Sequence, residues 1–563
     1  MNNGNRGLKV TVKWLCAAVF FTLHSSLFTS CSEWDDHYDA TTAAAGAGAS
    51  LWEQLKEDDR LSDFCQVLEQ TKVFRMHRKT GVSYADLLRG GQSFTVVAPV
   101  NGSFNCDSLL SLVQTHQGDS MVEKSFVFNH ISRMPTSVKG DYQTLRMLNG
   151  KNIIMQGNTI QDVPVVTSNL HASNGIIHVV SHALPYGFNL YEALCDDPEL
   201  NLIGTNLRQY EWDEFDPDAS VSNGVIDGVP VYVDSVVYER NRMLESIGLI
   251  ASEDSAYWVV VPTNAGWERA WENVSSYYVY DKSYQRRDSL QRYWTNRALF
   301  DDAVFNITDQ RGVTRETMFD GQWSMVDSLM SVPWLYWRKT YVSGKPKYHM
   351  FRKPFDEGGI LSGARQLQCS NGMIFKTDEW PFKPEETFFK ELWTEGESTW
   401  LITEEKDCRY TGLRQVADSI SDNGLLQVLP IKNTSNWELT FRMNNVLSGD
   451  YDVCAIILPQ TAINPDATAL KPCKFKAAVN YVDLEGKDQV YDCENQQFTT
   501  DPERVDTVVL AESFHFPATN YNQTTNKISV ALKCNILARE TSKYSREMLL
   551  DCIYLRPHKK SEQ

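Results

Sequence analysis

The sequence predicts a multidomain chain of two related α+β domains followed by an all-β sandwich. Three observations carry that expectation. The length of 563 residues exceeds what one core serves, at about 150 residues per domain. A strand–Pro–Asn pattern near residue 94 returns near residue 257. Beyond residue 387 the texture changes to short runs that alternate with period two, separated by turn signals.

The first thirty residues carry Arg6, Lys9 and Lys13, an apolar run from Trp14 to Leu23, and small residues ending at Cys31. A basic start, a short apolar run and small residues before a cleavage point make a secretory signal, too short to span a bilayer. The stop at a cysteine resembles a bacterial lipobox, although Phe28 stands where that pattern prefers Leu. The resemblance implies cleavage before Cys31 and lipid on its thiol, so residues 1–30 are read as signal. Ser32-Glu33-Trp34-Asp35-Asp36 is similar to the surface-export signals of Bacteroidetes lipoproteins, which implies an outer-membrane, surface-exposed location. Residues 31–50 follow as anchor and tether, because Thr41–Ser50 has no charge and no bulky side chain.

The formal net charge is −18, and removing the signal takes it to −21. That balance argues against nucleic-acid binding, which needs a basic face to displace counterions. It also gives no attraction to an anionic membrane surface, leaving the lipid as the attachment. No later run approaches the roughly 18 apolar residues of a spanning helix.

Two copies of a pattern occupy 51–187 and 188–386. Phe94–Pro99 with Asn101 and Phe104 recurs as Tyr257–Pro262 with Asn264 and Trp267. Each is a β-branched and aromatic strand, stopped by Pro99 or Pro262, then an Asn placed to cap a following helix. Ser173-Asn174-Gly175-Ile176-Ile177-His178 recurs as Ser370-Asn371-Gly372-Met373-Ile374-Phe375. Asn-Gly reads as a turn because both residues tolerate positive φ. Asn129-His130 has a weaker counterpart in Asn296-Arg297. The Pro-to-Asn-Gly spacing grows from 75 residues to 109, so about 34 extra residues are expected in surface loops.

In this order, with Leu148-Asn149-Gly150-Lys151 between, the motifs of the first copy resemble a fasciclin (FAS1) domain. The second copy resembles a divergent one. It keeps Pro262, Asn264, Asn371 and Gly372 but has Phe375 for His178 and Arg297 for His130. The resemblance implies a binding and adhesion module without enzymatic activity or cofactor.

Residues 387–563 hold strand candidates at Trp437–Met443, Asp452–Pro459, Phe475–Val482, Val505–Leu510, Lys527–Leu532 and Met548–Leu555. Many short strands with turns between them argue for an antiparallel sandwich. Gly449-Asp450-Tyr451-Asp452-Val453 and, at the end, Leu550-Asp551-Cys552-Ile553-Tyr554-Leu555-Arg556-Pro557 resemble the jelly-roll modules of bacterial glycan-handling proteins, which implies a carbohydrate-binding-like domain.

Catalytic and metal signatures are weak. His171, His178 and His182 form the best cluster, with His178 and His182 on one strand face. No acidic or thiol ligand completes the set, so hydrogen-bonded structural histidines are the better reading, and His130 is read likewise. The acidic run Glu211–Asp218 contains Pro217 and lacks the glycine of a calcium loop, so it reads as a solvated connection. No nucleophile elbow, P-loop or dinucleotide fingerprint occurs, and no catalytic residue is assigned. Ten cysteines besides Cys16 and Cys31 lack metal spacing. Small buried hydrophobes is the better reading, and any disulfide pairing stays open.

Trp393 and Trp400 sit in a polar stretch that opens the last domain, and an exposed ring there suits a sugar face. The competing expectation, favoured by the usual burial of Trp, is that they plug a domain junction. The function expected is a lipid-anchored surface binder or adhesin for a glycan or an envelope protein, with an accessory role in polysaccharide capture. A glycan-processing enzyme and a structural spacer are the alternatives.

Overall fold

The computed structural model describes residues 48–75, 78–226, 229–307, 328–330, 350–415, 420–493, 497–523 and 527–558. Cys31, its signal and most of the tether lie outside them, as does most of the added length of the second copy. The chain divides into two compact units, Met1–Tyr186 and Gly187–Gln563.

The first unit begins at Ser50, whose hydroxyl and Glu53 form a capping box on the helix Leu51–Glu57. Its central strand Phe94–Pro99 is buried throughout and runs parallel to Gly175–Val180. A strand buried on both faces reads as a continuous apolar run, which is why Phe94-Thr95-Val96-Val97-Ala98 shows no alternation. Ile131–Ser132 flanks it on one side. Val163–Ala172 and three further strands extend the sheet on the other. Helices carrying Leu55, Phe64, Leu68 and Leu88 bury the core beside Val96 and Ile177.

The second unit repeats this centre. Tyr257–Pro262 runs parallel to Gly372–Thr377, flanked by Val304–Asn306 and Arg365–Cys369. Phe94 pairs with Gly175 in one copy and Tyr257 with Gly372 in the other. The acidic run departs from expectation. Glu211–Ile226 is not a connecting loop but one arm of a long antiparallel hairpin with Val229–Asn241, and the pairing register shifts between Asp216 and Val221, across Pro217. Proline has no N–H to give a ladder, so it sits at such an irregularity.

The rest of this unit is a two-sheet sandwich. One sheet runs in the order Cys408–Arg414, Gly424–Pro430, Met548–Pro557, Gly449–Leu458, Asp506–Phe516, with Leu392–Glu395 also paired to Met548–Pro557. The other runs Ile402–Lys406, Glu438–Arg442, Ser529–Cys534, Lys474–Val482, Asp488–Tyr491. Successive side chains on a strand point to opposite faces. Tyr451, Val453 and Ala455 therefore face inward, against Phe441, Phe475 and Val530. Trp437 is fully buried, its indole N–H donating to Arg546 O at 2.6 Å. The aromatic core continues from the α+β part into the sandwich through Tyr277, Phe389 and Tyr451, with ring centroids 4.7 and 4.9 Å apart.

Candidate ligand-binding face

The same alternation that sends Tyr451, Val453 and Ala455 inward puts Asp452, Cys454 and Ile456 on the outer face of the first sheet. Their strand partners in register are Arg556, Tyr554 and Cys552. The added strand Leu392–Glu395 then sets Trp393 opposite Tyr554. The two rings stack with centroids 4.7 Å apart and planes 11° from parallel. Trp393 stays 45% exposed, and by covering Tyr554 leaves that ring only 7% exposed. The Tyr554 hydroxyl donates to the Cys454 sulfur, and burial helps push its pKa up to about 12. The ring pair is thereby fixed from below.

Charged groups border the pair. Asp452 accepts from Arg556 Nη2 at 2.9 Å, from Ser513 N–H at 2.9 Å and from His558 Nδ1 at 3.1 Å. Despite partial burial, these donors hold its carboxyl below the usual carboxylate range. An aromatic plane with a fixed guanidinium–carboxylate pair beside it can stack on an apolar ring face while hydrogen-bonding the groups at its edge.

Trp400 is 73% exposed but lies on the short turn Thr399–Leu401, which leads to the other sheet. The expectation that tryptophans plug the junction is therefore corrected for both residues. Trp393 lies flat on a sheet and Trp400 projects from a turn, while Tyr277, Phe389 and Tyr451, with Trp294 against Tyr521 at 5.0 Å, fill the junction. Sequence reading missed Tyr554, Arg556 and Asp452. The signal was the period-two spacing of Asp452, Cys454 and Ile456, although their pairing with the last strand is a tertiary fact.

At the far end of this face Asp551 is 1% exposed, beside Glu395 and Glu397. It accepts Ser421 N–H at 3.0 Å, and burial with two neighbouring carboxylates pushes its pKa up to about 7. A carboxyl so enclosed is a structural group.

The family-motif residues all lie in cores or at joints. Asn174 does not act through a left-handed turn. Its Oδ1 accepts Leu51 N–H at 2.7 Å, and its Nδ2 donates to Leu88 O and Gly90 O at 2.8 and 2.6 Å. Asn371 does the same with Leu190 N–H, Ile250 O and Ser252 O. Gly175 and Gly372 are required by close approach. A Cβ there would meet Phe94 O at 2.0 Å and Tyr257 O at 1.8 Å. Asn101 and Asn264 do not cap the helices that follow them. They accept Asp63 N–H and Leu202 N–H, capping helices that precede them in the chain.

His178 accepts Asn169 N–H at 3.1 Å through Nδ1 and donates Nε2–H to Thr136 O at 2.8 Å. His130 donates Nδ1–H to Phe126 O at 2.7 Å and accepts Leu184 N–H at 2.9 Å. His182 lies beyond the end of the strand Gly175–Val180, so it does not share a strand face with His178. Among the described residues no group of three or more His, Cys, Asp or Glu is arranged to hold a metal ion.

A small cavity of about 120 Å³ lies beside the aromatic junction, lined by Tyr277, Phe389, Glu385 and Asp450. There His515 Nδ1 meets Asp450 at 2.8 Å, but the hydroxyl of Ser448 is bound to Pro517 O at 3.2 Å. The other lining serine, Ser276, donates its hydroxyl to Asn273 O at 2.7 Å.

Residues 60–185 match the family model of the fasciclin domain. The first unit carries a fasciclin domain. No curated protein matches the sequence. Among solved structures, a FAS1 domain pair from the insect cell adhesion molecule fasciclin I is 10% identical. That alignment covers 60% of this chain and 97% of that one, at a TM-score of 0.18. A family 22 carbohydrate-binding module of Clostridium thermocellum is 9% identical over 30% of this chain and 97% of its own, at 0.20. The Podospora anserina GH26-CBM35 β-(1,4)-mannanase is 13% identical over 31% of this chain, at 0.19, and this chain spans only 28% of that enzyme.

Proposed function

We propose that this chain is a lipid-anchored, non-enzymatic binding and adhesion protein of the outer-membrane surface. In this reading a fasciclin domain and a second, divergent copy, 188–386, carry a sandwich, 387–563, that takes a glycan on its outer face. The observation that carries the glycan reading is the exposed Trp393 ring stacked on Tyr554, beside the Asp452–Arg556 pair. A flat indole held by a second ring binds a sugar face at little cost in side-chain freedom. The anchor reading rests on the basic start, the apolar run and the small residues before Cys31.

The test is titration of the soluble chain against a panel of polysaccharides, followed by tryptophan fluorescence. Saturable binding should appear. Trp393→Ala should weaken it tenfold or more, on the order of 1.4 kcal/mol, while Trp400→Ala changes it less. Absence of binding to every polysaccharide would turn the search to envelope proteins. Turnover of one of them, abolished by a single carboxylate substitution, would replace this reading with a glycan-processing enzyme.

A further inference from the structure

Cys454, Cys473, Cys534 and Cys552 are free thiols in the sandwich. Cys473 immediately precedes the strand Lys474–Val482, and Cys534 ends the neighbouring antiparallel strand Ser529–Cys534. Phe475 stands opposite Cys534, and Asn535 N–H donates to Lys474 O at 2.9 Å. Lys474 and Asn535 thus form a hydrogen-bonded rung, and Phe475–Cys534 is the adjacent, closer rung. Cys473, two residues before Phe475, points to the same face as Cys534, on the diagonal. Both are core residues, 2% and 4% exposed, and their thiols hydrogen-bond one another.

The surroundings favour reaction between them. Asn436 Oδ1 accepts from Cys534 Sγ at 3.5 Å and from Arg546 Nε at 3.1 Å. The Cys473 thiol and the Arg546 charge hold the Cys534 thiol below its ordinary range. Cys473 lines a cavity of about 10 Å³, together with Lys471, Thr500 and Glu547. Cys454 and Cys552 provide an internal comparison, since they too lie on one face of adjacent strands. The Cys454 sulfur takes the Tyr554 hydroxyl, and the Cys552 sulfur faces Asp551 Oδ2 at 3.9 Å, and burial pushes both thiols up.

We propose that Cys473 and Cys534 are a disulfide-forming pair that staples the second sheet of the sandwich. The oxidant is a donor disulfide. Cys534, the thiol held low, loses its proton and attacks one donor sulfur, breaking the donor S–S bond and expelling one donor thiolate. Cys473, whose thiol is held high while Cys534 stands beside it, then loses its proton and attacks the Cys534 sulfur, expelling the second donor thiolate. The two released protons return to the donor, so two protein thiols become one disulfide as one donor disulfide becomes two thiols. The bond closes a loop that contains Asp488–Tyr491 and the edge strand Asp506–Phe516, restricting the unfolded chain. The inference is independent of the glycan reading.

The experiment is to incubate the folded, fully reduced chain with oxidised glutathione, denature it, alkylate free thiols and map a non-reduced digest by mass spectrometry. The expected result is a Cys473–Cys534 cross-link and a loss of two hydrogens, with Cys454 and Cys552 alkylated. Alkylation of both Cys473 and Cys534, or a Cys454–Cys552 link instead, overturns the proposal. Oxidation should also raise the urea midpoint of the wild-type protein, and Cys473→Ala and Cys534→Ala should abolish that shift. A cross-link that forms without moving the midpoint would overturn the stapling role. Should either variant fail to fold, the wild-type peptide map decides the pairing.

Discussion

Asn174 and Asn371 each set one carboxamide among three backbone groups of separate segments, at 5% and 2% exposure. Removing such a side chain orphans buried donors and acceptors, at about 1–3 kcal/mol for each group left unsatisfied. Asn174→Ala should lower the stability of the first unit by about 2–3 kcal/mol, read as a shift of its transition in urea. Asn371→Ala should act likewise on the second. His130 sets a pH dependence. It is fully buried and neutral, and burial lowers its pKa from 6.5 to about 4. A depressed folded-state value means the stability is complete above pH 6.5 and is lost as pH falls toward 4. The loss approaches roughly 3 kcal/mol, and the wild-type slope between pH 6.5 and 4 should flatten in His130→Phe. Asp551 has the opposite sense. Its folded-state pKa of about 7 lies above the carboxylate value of 3.8, so its burial is tolerated at low pH, penalised increasingly as pH rises from 3.8 to about 7, and penalised in full above that. Asp551→Asn, whose Oδ1 can still accept Ser421 N–H, should leave stability unchanged at pH 4. At pH 8 it should raise stability by about 1–3 kcal/mol, measured by denaturant unfolding at both values.

At the scale of elements, the two parallel strand pairs depend on glycine where they touch. Gly372→Ala would drive a Cβ into Tyr257 O and displace Gly372–Thr377 from Tyr257–Pro262. The loss should exceed about 3 kcal/mol and be visible as a lowered melting temperature. The strands that hold these contacts were legible in Phe94-Thr95-Val96-Val97 and Tyr257-Trp258-Val259-Val260, because continuous β-branched and aromatic runs between breakers have few other uses. The hairpin Glu211–Asn241 was not legible. Its first arm opens as the acidic run Glu211–Asp218, broken by Pro217, with Trp212 and Phe215 three apart, so no period-two alternation marked it as a strand. The histidines were legible as structural residues, but the function of Asn101 was misjudged. A side chain's own helix and a helix 38 residues earlier give the same local pattern.

At the scale of the whole molecule, the anchor reading predicts that Cys31→Ser yields unlipidated protein that leaves the membrane fraction. A mutant that still sediments with membranes would refute it. What the sequence alone determined is what local composition carries: the strand–Pro–Asn repeat, the Asn-Gly joints, the alternating sandwich strands and the acidic balance. Each is written in the spacing of a few neighbouring residues. Only the tertiary structure decided which strands pair. It put Trp393 on Tyr554 from 161 residues away in the chain, Asp452 beside Arg556, and Cys473 against Cys534. Those juxtapositions follow from sheet order and register, which depend on how whole faces bury against one another.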